Sequence, residues 1–167
     1  VPLTSRGWDV AVYCVSERGC RADQVAHCGI RVFSSPIPTN RTAGETRNPI
    51  KIGFAAVRLL WLLRGWRPDI IHFYLPGPYI VGAPVSLAVG VPIKIMSRRS
   101  LSHYQTRRPT VSRFERWLHP YMDAIIGNSR AVVGELLNEG IPCEKLKLIY
   151  NGVELPDSLP DRAQARV

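Results

Sequence analysis

This chain carries none of the common loop signatures for nucleotide or nucleophile chemistry. No Gly-x-Gly-x-x-Gly follows a predicted strand, which leaves no fingerprint turn for a dinucleotide pyrophosphate. No Gly-x-x-x-x-Gly-Lys-Ser/Thr loop and no Gly-x-Ser-x-Gly elbow occurs, which argues against a P-loop NTPase and an α/β-hydrolase. The four cysteines, Cys14, Cys20, Cys28 and Cys143, form no Cys-x-x-Cys pair, and no histidine stands at zinc-finger spacing from them. They read as reduced structural thiols, although Cys20 and Cys28 flank a loop and could pair under oxidation. No apolar run is long enough to span a bilayer. Val1-Pro2-Leu3 has neither an initiator Met nor a basic n-region, so no signal peptide is read. The triplet Asn40-Arg41-Thr42 is accordingly taken as a chance glycosylation match. There is no internal repeat and no low-complexity tract.

Acidic residues are scarce as well. The chain has 22 Lys+Arg against 13 Asp+Glu, a formal net charge of +9. Such an excess favours partners that carry phosphate: nucleotides, anionic lipid head groups or nucleic acid. Nothing in the pattern suggests an RNA-stacking sheet or a recognition helix, so no nucleic-acid partner is expected. With 46% apolar and 21% charged residues over 167 positions, the composition is that of one globular domain.

Short apolar runs alternate with helical patterns, which implies a parallel α/β sheet. Strands are expected at Asp9 to Val15, Ile30 to Phe33, Asp69 to Leu75, Pro92 to Met96, Asp123 to Gly127 and Lys145 to Tyr150. Helices are expected at Ile50 to Trp66, Tyr79 to Val89, Val111 to Pro120 and Arg130 to Asn138, with a shorter turn at Ala22 to Ala26. Ser34 to Asn48, rich in Pro and Thr, reads as a long irregular loop. In Ile50 to Trp66, Phe54, Val57, Leu60 and Trp61 share one face, but Ile52, Ala55, Leu59, Leu62 and Leu63 make the other face apolar too. With Lys51, Arg58, Arg64 and Arg67 alongside, this is either a crossover helix packed on the sheet or an interfacial helix on an anionic membrane. In Val111 to Pro120, Phe114, Trp117 and Leu118 fall on one side, and Arg113, Glu115 and Arg116 on the other.

Polar groups gather where the strands end. In open parallel sheets the ligand lies outside the carboxyl ends of the strands. Asp69 to Leu75 carries His72 and is broken by Pro76, Gly77 and Pro78. Pro92 to Met96 empties into Ser97-Arg98-Arg99-Ser100, and a basic loop with His103 follows. The planar guanidinium forks of Arg98 and Arg99 suit phosphate or carboxylate. At least one is expected to face the crevice, while the other could pair with an acid to hold the loop. Asn128 and Ser129 follow the next strand, with Ser129 also suited to cap the helix behind it. Asn151 and Gly152 close the last one. His72 is a candidate acid, base or ligand contact, or a hydrogen-bonded core residue. No spacing of histidines signals a metal.

Four segments in order carry a resemblance. They are Leu-Thr-Ser-Arg-Gly-Trp-Asp-Val-Ala-Val at 3 to 12, Arg-Pro-Asp-Ile-Ile-His at 67 to 72, and Gly-Val-Pro-Ile-Lys-Ile-Met-Ser-Arg-Arg-Ser at 90 to 100. The fourth runs from Asn-Ser-Arg-Ala-Val at 128 to Lys-Leu-Ile-Tyr-Asn-Gly-Val-Glu ending at 154. Together they make the chain resemble the N-terminal, acceptor-side domain of family 4 glycosyltransferases with the GT-B fold.

The resemblance implies a Rossmann-like parallel sheet with helices on both faces, as one half of a GT-B architecture. It implies transfer of a sugar from a nucleotide-diphosphate sugar to a glycan or lipid-linked acceptor, as in polysaccharide biosynthesis. Anomeric configuration would be retained, with no metal or other cofactor. The protein is expected in the cytoplasm, with peripheral contact with an anionic membrane as an open option. The domain would run over residues 1–155, with an interdomain linker beginning at 156–167. The family's first strand and its donor half would lie outside this sequence, so the chain alone is expected to be inactive. In the order 3-2-1-4-5-6 that first strand is central, so Asp9 to Val15 and Asp69 to Leu75 would lack their shared neighbour. Many members carry a His where Arg98 stands, which makes Arg98 the candidate catalytic residue. The substrate-binding set implied is Arg98, Arg99, His72, Gly77, His103, Asn128, Ser129, Asn151 and Gly152. Two other readings stay open: a non-catalytic basic module on anionic membrane, and half of a nucleotide-sugar 2-epimerase.

Overall fold

The computed structural model describes residues 3–16, 18–35, 49–101, 105 and 109–152. Residues 36–48 of the loop expected over Ser34 to Asn48, His103 and the expected linker at 156–167 lie outside them. Among the described residues six strands and five α-helices alternate: β1 (Ala11–Cys14), α1 (Ala22–His27), β2 (Arg31–Ser34), α2 (Pro49–Trp66), β3 (Ile70–Tyr74) and α3 (Pro76–Val89) come first. They are followed by β4 (Ile93–Arg98), α4 (Pro109–Leu118), β5 (Ala124–Gly127), α5 (Arg130–Asn138) and β6 (Leu146–Leu148). Single 3₁₀ turns occur at Leu3–Arg6, His119–Tyr121 and Cys143–Lys145. All ladders are parallel, in two sheets ordered β1-β2 and β3-β4-β5-β6.

β1 and β3 are not paired with each other, and among the described residues neither has a strand on its other edge. An unpaired row of backbone N–H and C=O groups is a template for a foreign strand. The chain on its own is therefore expected to self-associate, with an apparent mass by size exclusion that rises with concentration. A monomer with a cooperative, reversible melt would count against this.

Local chemistry sets the element ends. Pro76 opens α3, where its missing N–H costs nothing, and Gly90 closes it in the left-handed conformation at φ +78°. Ser129 is the N-cap of α5, its Oγ accepting from Val132 N at 3.2 Å. β4 runs two residues further than its apolar run, because Ser97 and Arg98 pair with Tyr74 and Ile126 or Gly127 on the strands beside them.

The main core lies between the β3–β6 sheet and its helices. Phe73, Met96 and Ile125 from the strands meet Tyr79, Ala83, Leu118, Met122, Val132 and Leu136. Gly82 lets α3 sit against β3, since a Cβ there would lie 2.6 Å from Phe73 Cε1. A second cluster joins Leu59, Leu63 and Val91 to Tyr13 of β1, and Tyr13 OH donates to Ala55 O at 2.8 Å. This contact ties the smaller sheet to α2. Asp9 tightens the same junction by accepting from Trp66 Nε1 and Arg31.

The structure settles which face two of the helices bury. α2 buries Ala55, Leu59 and Leu63, and leaves Phe54, Val57 and Trp61 exposed. α4 buries Ser112, Glu115 and Leu118, while Phe114 and Trp117 face outward. The reason for α4 is polar: Glu115 accepts from Gln105 Nε2 at 3.0 Å inside the fold. The four cysteines are all unbridged, so Cys20 and Cys28 do not pair.

Candidate functional site

The carboxyl ends of β3, β4 and β5 and the segment after β6 surround a crevice of about 300 Å³. This is the place the topological rule assigns to a ligand. His72, Arg98, Arg99, Asn128, Asn151 and Gly152 all line it. Tyr74, Ser97, Ile126, Ile149 and Tyr150 complete the wall. Gly77 sits in the first turn of α3 and Ser129 caps α5; neither lines the crevice.

Each polar group has a defined support. His72 Nε2 and Ser97 Oγ share a hydrogen bond of 2.7 Å between neighbouring strands. The imidazole also lies 4.1 Å from the Tyr74 ring, centroid to centroid. Burial pushes the His72 pKa below its ordinary value, which keeps the ring neutral at neutral pH. Arg99 is exposed, and its Nη2 donates to Asn151 Oδ1 at 2.7 Å. Asn128 Nδ2 donates to the carbonyl of Arg99 at 3.3 Å. These bonds fix one guanidinium, two amides and one imidazole around a single opening.

Of the two strand-end arginines, Arg98 is the one that pairs with an acid. Although it is a crevice residue by position, its side chain is only 1% exposed. Its Nη1 and Nη2 donate to the two carboxylate oxygens of Glu139 at 2.5 and 3.0 Å. Glu139, just after α5, also meets His119 Nε2 at 3.3 Å, and His119 Nδ1 shares a hydrogen bond with Tyr79 OH at 3.1 Å. Burial opposes ionisation of Glu139, but hydrogen bonds from His119 and Arg98 and the Arg98 charge outweigh it and hold its pKa down to about 2. Tyr79 is pushed up by its own burial and by the Glu115 charge. Arg98 is thus spent on a buried acid, and the exposed cation at the crevice is Arg99.

At the rim, Leu75 joins β3 to α3 at φ +74° and ψ +156°, a region that is essentially glycine's. Tyr74, absent from the expected site, could have been found from the period of two that puts it beside His72. Ile149 and Tyr150 had only their nearness to Asn151 as a signal. Among the described residues no group of three His, Cys, Asp or Glu could hold a metal ion.

The parallel α/β fold is shared with proteins of known structure. Over 86% of this chain and 36% of theirs, it superposes on the crystal structure of Anabaena HepE in complex with UDP, with a TM-score of 0.65 and 19% identity. The UDP-GlcNAc 2-epimerase from Methanocaldococcus jannaschii matches over 84% of this chain and 37% of its own, with a TM-score of 0.57 and 13% identity. At such identities the likeness is one of fold. The chain spans little more than a third of the length of either structure. Residues 2–152 match the glycosyl transferase 4-like domain, and the chain belongs to that family. No curated protein sequence matches it.

Proposed function

We propose that this chain is the acceptor-side half of a retaining glycosyltransferase, moving a sugar from a nucleotide-diphosphate sugar to a glycan or lipid-linked acceptor. The observation that carries the reading is the crevice itself. In a glycosyl transferase 4-like domain, it gathers the Arg99 guanidinium, a neutral His72 and the amides of Asn128 and Asn151 at the strand ends. On this reading the domain is residues 1–155, 156–167 begin an interdomain linker, and a donor half completes the enzyme. The chain without that half is inactive. The setting is polysaccharide or lipid-linked glycan synthesis on the cytoplasmic face of a membrane.

The residues divide the work. Arg99 presents a fixed cation to an anionic substrate group, and leaving-group charge is stabilised mostly from the donor side. His72 and Asn128 offer hydrogen bonds to acceptor hydroxyls. Arg98 acts as a positioning residue through Glu139, and Gly152 closes the wall beside Asn151.

The test is product analysis with a panel of nucleotide sugars, using a protein that carries both halves. Transfer with retained configuration is expected. Arg99→Ala should lower kcat/KM roughly 10- to 100-fold, the worth of one charge-assisted hydrogen bond. Unchanged transfer would remove Arg99 from the site. Interconversion of nucleotide-sugar epimers without any acceptor would move the chain to the epimerase class instead.

A further inference from the structure

The outer surface of the helical layer carries apolar groups that no contact among the described residues buries. On α2, Ile50, Phe54, Val57 and Trp61 fall within about 60° of arc at the helical repeat. Their exposures are 77, 48, 52 and 69%. They lie opposite Ala55, Leu59 and Leu63, which pack inward. On α4 and the turn after it, Phe114, Trp117 and Tyr121 are also exposed. They form a ladder with ring centroids 5.6 and 5.4 Å apart. α3 packs against both α2 and α4, so the two patches belong to one layer.

The exposed charge on these two helices has one sign. α2 contains Lys51, Arg58 and Arg64 and no acidic residue. On α4 the single acid, Glu115, is fully buried, while Arg113 and Arg116 are exposed. Exposed Trp and Tyr with a cationic fringe have the chemistry of the bilayer interface, where an aromatic body enters the acyl boundary and cations meet lipid phosphates. A second copy fits poorly. An isologous contact would set this basic fringe against itself on a chain of net charge +9. α2 is not a span, for no described helix is long and apolar enough to cross a membrane.

We propose that this face docks on an anionic lipid bilayer, with α2 and α4 lying in the interface and Trp61 and Trp117 as its two anchors. The crevice then works close to the bilayer surface, within reach of a lipid-linked acceptor. The inference rests on the membrane-side setting proposed above but not on catalysis, so vesicle binding and sugar transfer can fail separately.

The experiment mixes the full-length protein with phosphatidylcholine vesicles, with and without phosphatidylglycerol, at low and high salt. Sedimentation with the anionic vesicles alone is expected, weakening as salt rises. Brominated acyl chains should quench Trp fluorescence. Trp61→Ser with Trp117→Ser should abolish that quenching and weaken binding at least about tenfold. Arg58→Glu with Arg64→Glu should weaken it by about tenfold or more. All four positions are exposed, so circular dichroism should be unchanged, and quenching of the unmodified protein is informative by itself. Equal binding to neutral vesicles, absence of quenching, or a dimer that Trp61→Ser dissociates would overturn the proposal.

Discussion

Glu139→Ala should destabilise the domain by about 3–5 kcal/mol, the usual loss when one partner of a buried ion pair is removed. The reason is Arg98. Its guanidinium is held by both Glu139 oxygens and is almost wholly out of water. Without the carboxylate it remains charged, because arginine does not deprotonate at any ordinary pH. His119 loses a partner as well, which loosens its contact with Tyr79 on α3. The control is Arg98→Met with Glu139→Leu. Removing both charges and filling the space should recover most of the loss. Urea melts of the parent, Arg98→Met, Glu139→Leu and the double variant, each carrying both halves, give the coupling directly. A Glu139→Ala midpoint equal to the parent's would show that the pair is structurally idle.

The same pair predicts an acid limit. The folded pKa of Glu139 is about 2, against an ordinary 4.5. A depressed carboxylate contributes stability that is fully present above its unfolded pKa and is lost as pH falls through the folded one. The contribution, about 3 kcal/mol, should therefore fade between pH 4.5 and 2 and be constant above that window. Glu139→Gln should flatten this part of the stability–pH curve. An undiminished acid slope in that variant would assign the loss to other carboxylates.

The sequence reading succeeded where signals were local. The Ser129 cap and the Gly90 stop rest on residue types whose backbone preferences act within a turn, and both appear in the structure. The crevice residues His72, Arg99, Asn128 and Asn151 were reachable because a parallel sheet forces its strand ends together. The fate of Arg98 was not legible, since its partner is 41 residues away in sequence and no spacing rule joins them. A strand-end Arg looks identical whether it faces ligand or a buried acid. The helix faces failed for a related reason. α2 is apolar all round, so periodicity could not say which side meets the sheet. In α4 a buried Glu115 outweighed the apparent preference of Phe114 and Trp117 for the core. Periodicity ranks side chains by hydropathy, whereas the fold also ranks them by the partners available.

Gly127 combines stability and function at one position, and Gly127→Ala should damage both. It ends β5, pairs with Arg98 and Leu148 on its neighbours, and its carbonyl accepts from Ile149 N at 3.0 Å. A Cβ there would meet Val133 Cγ2 at 2.7 Å and Val133 N at 3.2 Å. The first atom belongs to a β-branched side chain with little χ1 freedom in a helix, and the second is backbone. Neither yields without moving α5, so the substitution should cost about 1–3 kcal/mol. The displacement falls beside Asn128, whose amide holds the Arg99 carbonyl, and on the segment that leads to Asn151. Both supports of the exposed guanidinium shift together. Sugar transfer should then fall through kcat as well as KM, even at temperatures where the variant is still folded. Gly134→Ala is the matched control in the same helix. Nothing lies within 4 Å of its added Cβ. It should raise stability by about 0.5–1 kcal/mol, through reduced freedom of the unfolded chain and better helix propensity. Opposite signs for the two substitutions would show that α5 rests on β5 through Gly127. Equal, small effects would mean that the contact is slack and that the crevice is held by other means.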